Sequence, residues 1–257
     1  MTLSKGEFKR TQEKVMSLPG ESLYARLFFR KISFIITPLM AKLPFTPNML
    51  TVGSIIAGTA GAVLLMLPGP FNYLLGGLLV IAWFLLDVLD GDLARYKGQQ
   101  SLKGVYLDSL GHYIVNPLIF TSFSVYLAIL FANWLYLLIG FVTFVVHQYS
   151  RLAKDLAHSA RYVQRDPTAN PRQIVNRTAT NQESAGVFGK ILVTLSARCL
   201  TIFDALSITI ITGFLRLLLF LGLPSLGIGI YCTLCLGVLA GTSLIVLAQA
   251  EKIGNQR

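Results

Sequence analysis

Residues 87–112 read DVLDGDLARYKGQQSLKGVYLDSLGH, placing Asp87, Asp90, Asp92 and Asp108 at the end of a long apolar run. A carboxylate in so apolar a segment is costly, and ionisable side chains inside membrane spans mark functional sites by default. Outward from this stretch, the 257-residue chain is 54% hydrophobic and only 13% charged, with mean hydropathy +0.63. A soluble domain carries about a quarter charged residues. The composition therefore implies an all-α membrane protein that builds a cavity around the acidic stretch.

Apolar runs predict six transmembrane helices, at about 48–67, 72–94, 105–130, 134–152, 190–221 and 226–249. The fifth run exceeds what a bilayer needs, so its first turns are expected to project from the membrane. Residues 1–20 read as a polar, loosely ordered N-terminal tail, and residues 251–257 as a C-terminal tail. Residues 21–42, ESLYARLFFRKISFIITPLMAK, are too charged to span. They predict an amphipathic interfacial helix with Arg26, Arg30 and Lys31 towards lipid headgroups, bent or ended by Pro38. Residues 43–250 then form the six-helix transmembrane catalytic domain, entered through PFTPN (44–48), where Thr46 or Asn48 caps the first span. The polar connection 154–188 holds Pro167 and Pro171, which predicts short amphipathic pieces at the membrane surface rather than one helix.

The net charge is +10, and its placement is uneven. Eight Lys or Arg precede residue 47, three lie between 95 and 103, and eight between 151 and 198. The turns 67–72, 131–134 and 221–226 contain none, and Arg216 alone falls near that side. The positive-inside bias puts both termini and the acidic stretch in the cytoplasm. The basic loops suit anionic lipid or phosphorylated substrates; no basic, aromatic module stands outside the spans to bind nucleic acid. Cys199, Cys232 and Cys235 fall in apolar segments with no His beside them, so they read as small core residues rather than a redox or metal pair. The N-terminal stretch MTLSKGEFKRTQEKVM is too polar for a cleaved signal peptide.

Spacing gives the acidic stretch its chemistry. Asp87 and Asp90 are three residues apart and share a helix face, with Ala94 one turn on; Asp108 and His112, four apart, share a face of the next helix. Folding these two helices together converges both pairs on one point. Clustered carboxylates there need a counter-charge, and oxygen ligands favour Mg²⁺, Ca²⁺ or Mn²⁺ over zinc. Gly91 and Gly104 allow close approach, and Arg95 and Lys103 at the rim can meet phosphate. A metal beside a basic rim points to a phosphorylated substrate and in-line displacement at phosphorus. Asp92 lies off the shared face, and is open to a second reading as part of a helix-end salt-bridge cluster with Arg95, Lys97 and Lys103.

In this arrangement the chain resembles the CDP-alcohol phosphotransferase family, whose pattern is D-x2-D-G-x2-A-R-x8-G-x3-D-x3-D. Asp87, Asp90, Gly91, Ala94, Arg95, Gly104 and Asp108 fall in register, seven of eight fixed positions over 26 residues. TPNMLT (46–51), the amphipathic segment before it and the six-span layout are similar too. The resemblance implies transfer of a phosphoalcohol group, such as phosphatidyl, from a CDP-linked donor such as CDP-diacylglycerol to a hydroxyl acceptor, releasing CMP. It implies Asp87, Asp90 and Asp108 as ligands of Mg²⁺ or Mn²⁺, Gly91, Ala94 and Arg95 along the CDP, Gly104 as the residue giving it room, and a homodimer. The eighth position departs: His112 stands where the family has the aspartate thought to be the general base. Two readings follow. Neutral imidazole can accept the acceptor hydroxyl's proton; or catalysis is lost and the chain binds CDP-alcohol or metal without turnover. A cation transporter is the third reading, disfavoured because few polar residues continue towards the far side of these two spans.

Other candidates are weaker. Arg198 can meet an acceptor phosphate or a lipid headgroup, or simply pair with Asp204. Lys190 lies at the membrane surface. His147, His158, Arg161, Arg165, Arg172 and Arg177 decorate a polar loop that can attract anions.

Overall fold

The computed structural model describes residues 4–16, 25–165, 205–223, 226–228, 230, 231 and 233. Its helices are α1 (Lys5–Met16), α2 (Arg30–Lys42, entered through a π-helical turn at Ala25–Phe29), α3 (Pro47–Met66), α4 (Pro70–Lys97), α5 (Leu102–Phe131), α6 (Leu135–Arg165) and α7 (Ala205–Phe220). Among the described residues there is no strand. Three helices, α3, α4 and α5, are long and apolar enough to cross a membrane, and Leu135–Val145 and Ile210–Phe220 are shorter apolar helical stretches. The fourth expected span, 134–152, falls at the start of α6, where Leu135–Val145 is the apolar stretch; the fifth and sixth expected spans lie partly, and Cys199, Cys232 and Cys235 wholly, outside the described residues.

Local chemistry sets the ends of these helices. Thr46 caps α3, its side chain accepting from Met49 N at 3.3 Å, with Pro47 at the first helical position. Of the two candidates, Thr46 is the cap rather than Asn48. At the other end of the hairpin, α4 stops at Gly98, whose φ of 64° is left-handed; Gly98 N reaches Arg95 O at 3.2 Å and Gln99 N reaches Ala94 O at 2.9 Å. Ser101 then caps α5 by accepting from Gly104 N at 3.0 Å. This short link turns the chain back on itself, so the last turns of α4 oppose the first turns of α5.

Packing fixes their register. A Cβ on Gly61 would lie 3.0 Å from Gly76 O, and one on Gly76 2.9 Å from Gly61 O, so α3 and α4 cross backbone to backbone. Trp83, Val80, Leu65, Val115 and Ile119 fill the core among α3, α4 and α5. The hairpins put the ends of successive helices at alternate poles. At the pole away from the acidic stretch, Arg216 of α7 lies over the rings of Tyr73 and Tyr126, 5.0 and 3.8 Å from their centroids, and donates to Leu65 O. That contact satisfies a carbonyl in the last turn of α3.

Two segments differ from their expected forms. Residues 5–16, inside the stretch read as a loose tail, form α1. Ser4 and Glu7 make a capping box, Ser4 N donating to Glu7 Oε2 at 2.9 Å and Glu7 N to Ser4 Oγ at 3.3 Å. Hydrogen bonding from the Ser4 side chain, and then from its backbone N–H, holds the Glu7 carboxyl below its usual range. Phe8 is fully buried against the rings of Phe34 and Tyr96, which docks α1 on α2 and α4. Helix α2 carries Pro38 without ending there and continues to Lys42. Its exposed face is largely apolar, with Ile32, Ile35 and Leu39 outward and Phe28 of the preceding turn beside them, while Arg30, Ser33 and Thr37 are buried. Arg26 and Lys31 are exposed as expected, but Arg30 turns inward, because a buried carboxylate on α4 gives it a partner. Residues 154–165, expected in short pieces, are helical as the continuation of α6.

Candidate active site

The acidic stretch lies where α3, α4 and α5 meet at one pole. Asp87 projects from α4, and Asp108 and His112 from successive turns of α5. One ligand atom from each of the three lies within 4.8 Å of the other two. His112 Nε2 stands 3.5 Å from Asp87 Oδ1 and 3.7 Å from Asp108 Oδ1. These separations are too long for good hydrogen bonds, and suit donors arranged around a common centre, since ligands about 2.0–2.6 Å from a divalent cation lie roughly 3–5 Å from one another. The side chains are partly open, with Asp87 21%, His112 25% and Asp108 45% exposed. Trp83, one turn below Asp87, closes the floor and meets the His112 ring edge to face, centroids 5.8 Å apart. The donor set, two carboxylates and an imidazole, fits a divalent cation that accepts nitrogen as well as oxygen.

Asp90 shares the α4 face with Asp87 but is engaged differently. It is buried, and Thr51 Oγ1 of α3 donates to its Oδ2 at 2.5 Å. The other Thr51 contact, to Pro47 O at 3.2 Å, ties this hydroxyl to the first turn of α3. Sequence reasoning gave Thr51 no role, although it ends the TPNMLT stretch.

The glycines act through what they leave room for. A Cβ on Gly91 would lie 3.0 Å from Arg95 Nη2, so the Arg95 guanidinium lies across Gly91 on the surface of α4. A Cβ on Gly104 would lie 3.3 Å from Asn48 Oδ1, setting the start of α5 close to α3. Ala94 is on the same helix turn as Arg95, partly buried. Lys97 donates to Phe45 O at 2.8 Å and so braces the entry to α3, while Lys103 is exposed.

Asp92 is fully buried, 0% exposed, away from the Asp87 cluster. Its Oδ1 accepts from Arg30 Nη1 at 2.7 Å and Arg95 Nη2 at 2.9 Å; its Oδ2 accepts from Gln12 Nε2 at 2.8 Å and Ser33 Oγ at 2.6 Å. The salt-bridge reading of Asp92 therefore holds with Arg95, while the other cation is Arg30 rather than Lys97 or Lys103. Gln12, Arg30 and Ser33 had no signal in the sequence, since they lie 80, 62 and 59 residues from Asp92. Beside His112, Tyr113 donates to Asp155 Oδ2 at 2.5 Å with Arg151 over its ring, which joins α5 to α6. Lys190, Arg198, Asp204, Arg172 and Arg177 lie outside the described residues, as do the side chains of His147, His158, Arg161 and Arg165.

Comparison with known proteins agrees with this arrangement. A family model described as CDP-alcohol phosphatidyltransferase matches residues 45–180. A "Bifunctional IPC transferase and DIPP synthase" of Aquifex aeolicus is 35% identical over 91 residues, 35% of this chain and 20% of that protein. A "Phosphatidylinositol phosphate synthase" of Streptomyces avermitilis is 29% identical over 106 residues, 41% of this chain and 42% of that protein. The matched part thus spans a fifth and about two-fifths of the length of these relatives.

Proposed function

Because the chain belongs to the CDP-alcohol phosphatidyltransferase family, we propose that it transfers a phosphoalcohol group, phosphatidyl in the first instance, from a CDP-linked donor to a hydroxyl acceptor and releases CMP. The observation that carries this reading is the convergence of Asp87, Asp108 and His112, from two helices, within 4.8 Å at the family's motif. Asp87, Asp90 and Asp108 would hold Mg²⁺ or Mn²⁺, which when bound supplies positive charge for the donor diphosphate.

The chain's own residues divide the remaining work. Gly91, Ala94 and Arg95 lie along the CDP, and Gly104 keeps α5 close enough to α3 to close the pocket. His112 Nε2 accepts the proton of the acceptor hydroxyl as its oxygen bonds to the β-phosphorus. The bond from that phosphorus to the bridging oxygen breaks, and CMP leaves with the electron pair. Thr51 holds Asp90 in one rotamer, which keeps the site pre-organised.

The rest of the reading concerns setting. The outward apolar face of α2 supports an interfacial position for that helix, and the distribution of Lys and Arg supports a six-span layout with both termini and the site on the cytoplasmic side. The protein works as a homodimer in phospholipid synthesis. The test is the fate of phosphorus: with donor labelled at the β-phosphate, the label should appear in a new phosphodiester while unlabelled CMP is released. Label recovered as a free phosphoalcohol whatever the acceptor would mean hydrolysis rather than transfer.

A further inference from the structure

We propose that Asp92, outside the motif, is a positioning residue that fixes the Arg95 guanidinium in its donor-binding pose. The inference rests on the donor-binding reading of the site given above. Three observations carry it. First, one fully buried carboxylate holds both guanidinium groups through a single oxygen, Asp92 Oδ1, so Arg95 is fixed from the same point that ties α2 to α4. Second, Arg95 is the one on the open side, its side chain 23% exposed against 9% for Arg30. Third, Arg95 Nε is buried with no hydrogen-bond partner among the described residues. A buried unspent donor on a cation is costly unless an anion uses it.

The local geometry shows how the pose is set. Asp92 pulls the guanidinium back along α4, and Gly91, lacking a Cβ, gives it the surface to lie across. A free arginine side chain loses rotamer entropy on being fixed; Asp92 has already imposed that loss before a phosphate arrives, which is how pre-organisation raises affinity. Gln12 and Ser33 fill the other carboxylate oxygen, so α1 and α2 hold Asp92 in turn. This makes the N-terminal helix a remote support of the donor site.

Asp92→Asn is the discriminating variant because the network can absorb it. The amide retains an acceptor towards the two arginines; Gln12 can flip its amide to accept, and Ser33 Oγ can accept while donating to Thr37 Oγ1, 3.1 Å away. CMP release is measured in the full-length chain in lipid nanodiscs against varied CDP-diacylglycerol, with CDP affinity and thermal midpoint measured alongside. Donor KM and the Kd for CDP should rise about tenfold, as expected for weakening one charge-assisted contact, with kcat and acceptor KM within about a factor of two. The double variant Asp92→Asn with Arg30→Gln restores the charge count and should show the same loss of CDP affinity with a thermal midpoint nearer wild type. Wild-type donor KM and CDP affinity in either folded variant, or a fall in kcat alone, would overturn the proposal. So would failure of both to fold, which would assign Asp92 to the fold. A wild-type chain that neither binds CDP nor releases CMP would instead remove the donor reading beneath it.

Discussion

His112 carries most of what distinguishes this site from its family's pattern. Its Nε2 lies between Asp87 and Asp108 at 3.5 and 3.7 Å, a position from which it can take a proton or share a cation. His112→Ala should lower CMP release at least about a hundredfold, the usual worth of a general base, while CDP still protects the protein against thermal unfolding. His112→Asp, which restores the family residue, should keep turnover, since a carboxylate at that position can take the same proton. Unchanged turnover in His112→Ala would remove it as the base. At this scale the motif residues were legible because helical spacing alone puts 87 with 90 and 108 with 112 on shared faces. Apart from Arg95, the contacts of Asp92 were not. Its remaining partners come from two other helices, and nothing in a local pattern marks a glutamine or a serine as the future partner of a carboxylate tens of residues away.

Among the elements, α1 and α2 show where polarity misleads. Helix α1 is so polar that it reads as a tail, yet the Ser4-x-x-Glu7 capping signature stood in the sequence, and the buried Phe8 ring and Gln12 dock it. Helix α2 was legible as amphipathic, but not which way it faced: its apolar side looks outward and its polar side inward towards Asp92. That reverses the usual soluble arrangement and suits an apolar solvent on the outer side. Phe8→Ala deletes a fully buried ring and should destabilise the docking of α1 by about 3 kcal/mol, read as faster hydrogen exchange over residues 5–16 while α3 to α5 keep their protection. Equal exchange in wild type and variant would mean that the ring does not hold α1.

For the whole molecule, hydropathy gave, over the described residues, the three long apolar helices α3, α4 and α5, because backbone groups inside a bilayer must be satisfied within the helix, but not the polar helix α1 or the length of α6. α3, α4 and α5 are the three helices there with the length and apolarity to span, and the acidic pole sits where Thr46, Gly98 and Ser101 turn the chain. What hydropathy could not supply was the closeness of approach, set by Gly61 against Gly76, which brings Thr51 of α3 onto Asp90 and completes the site from a third helix. The central claim, that this pole catalyses transfer from a CDP-linked donor, is tested most directly by CMP release from the purified chain in nanodiscs, supplied with CDP-diacylglycerol and a panel of acceptors including inositol phosphate, glycerol phosphate and serine. The account predicts CMP that requires one of these acceptors and Mg²⁺ or Mn²⁺, and that stops with EDTA or with Asp108→Asn. CDP-alcohol that binds wild type while no acceptor yields CMP, or release that continues in EDTA, would contradict it.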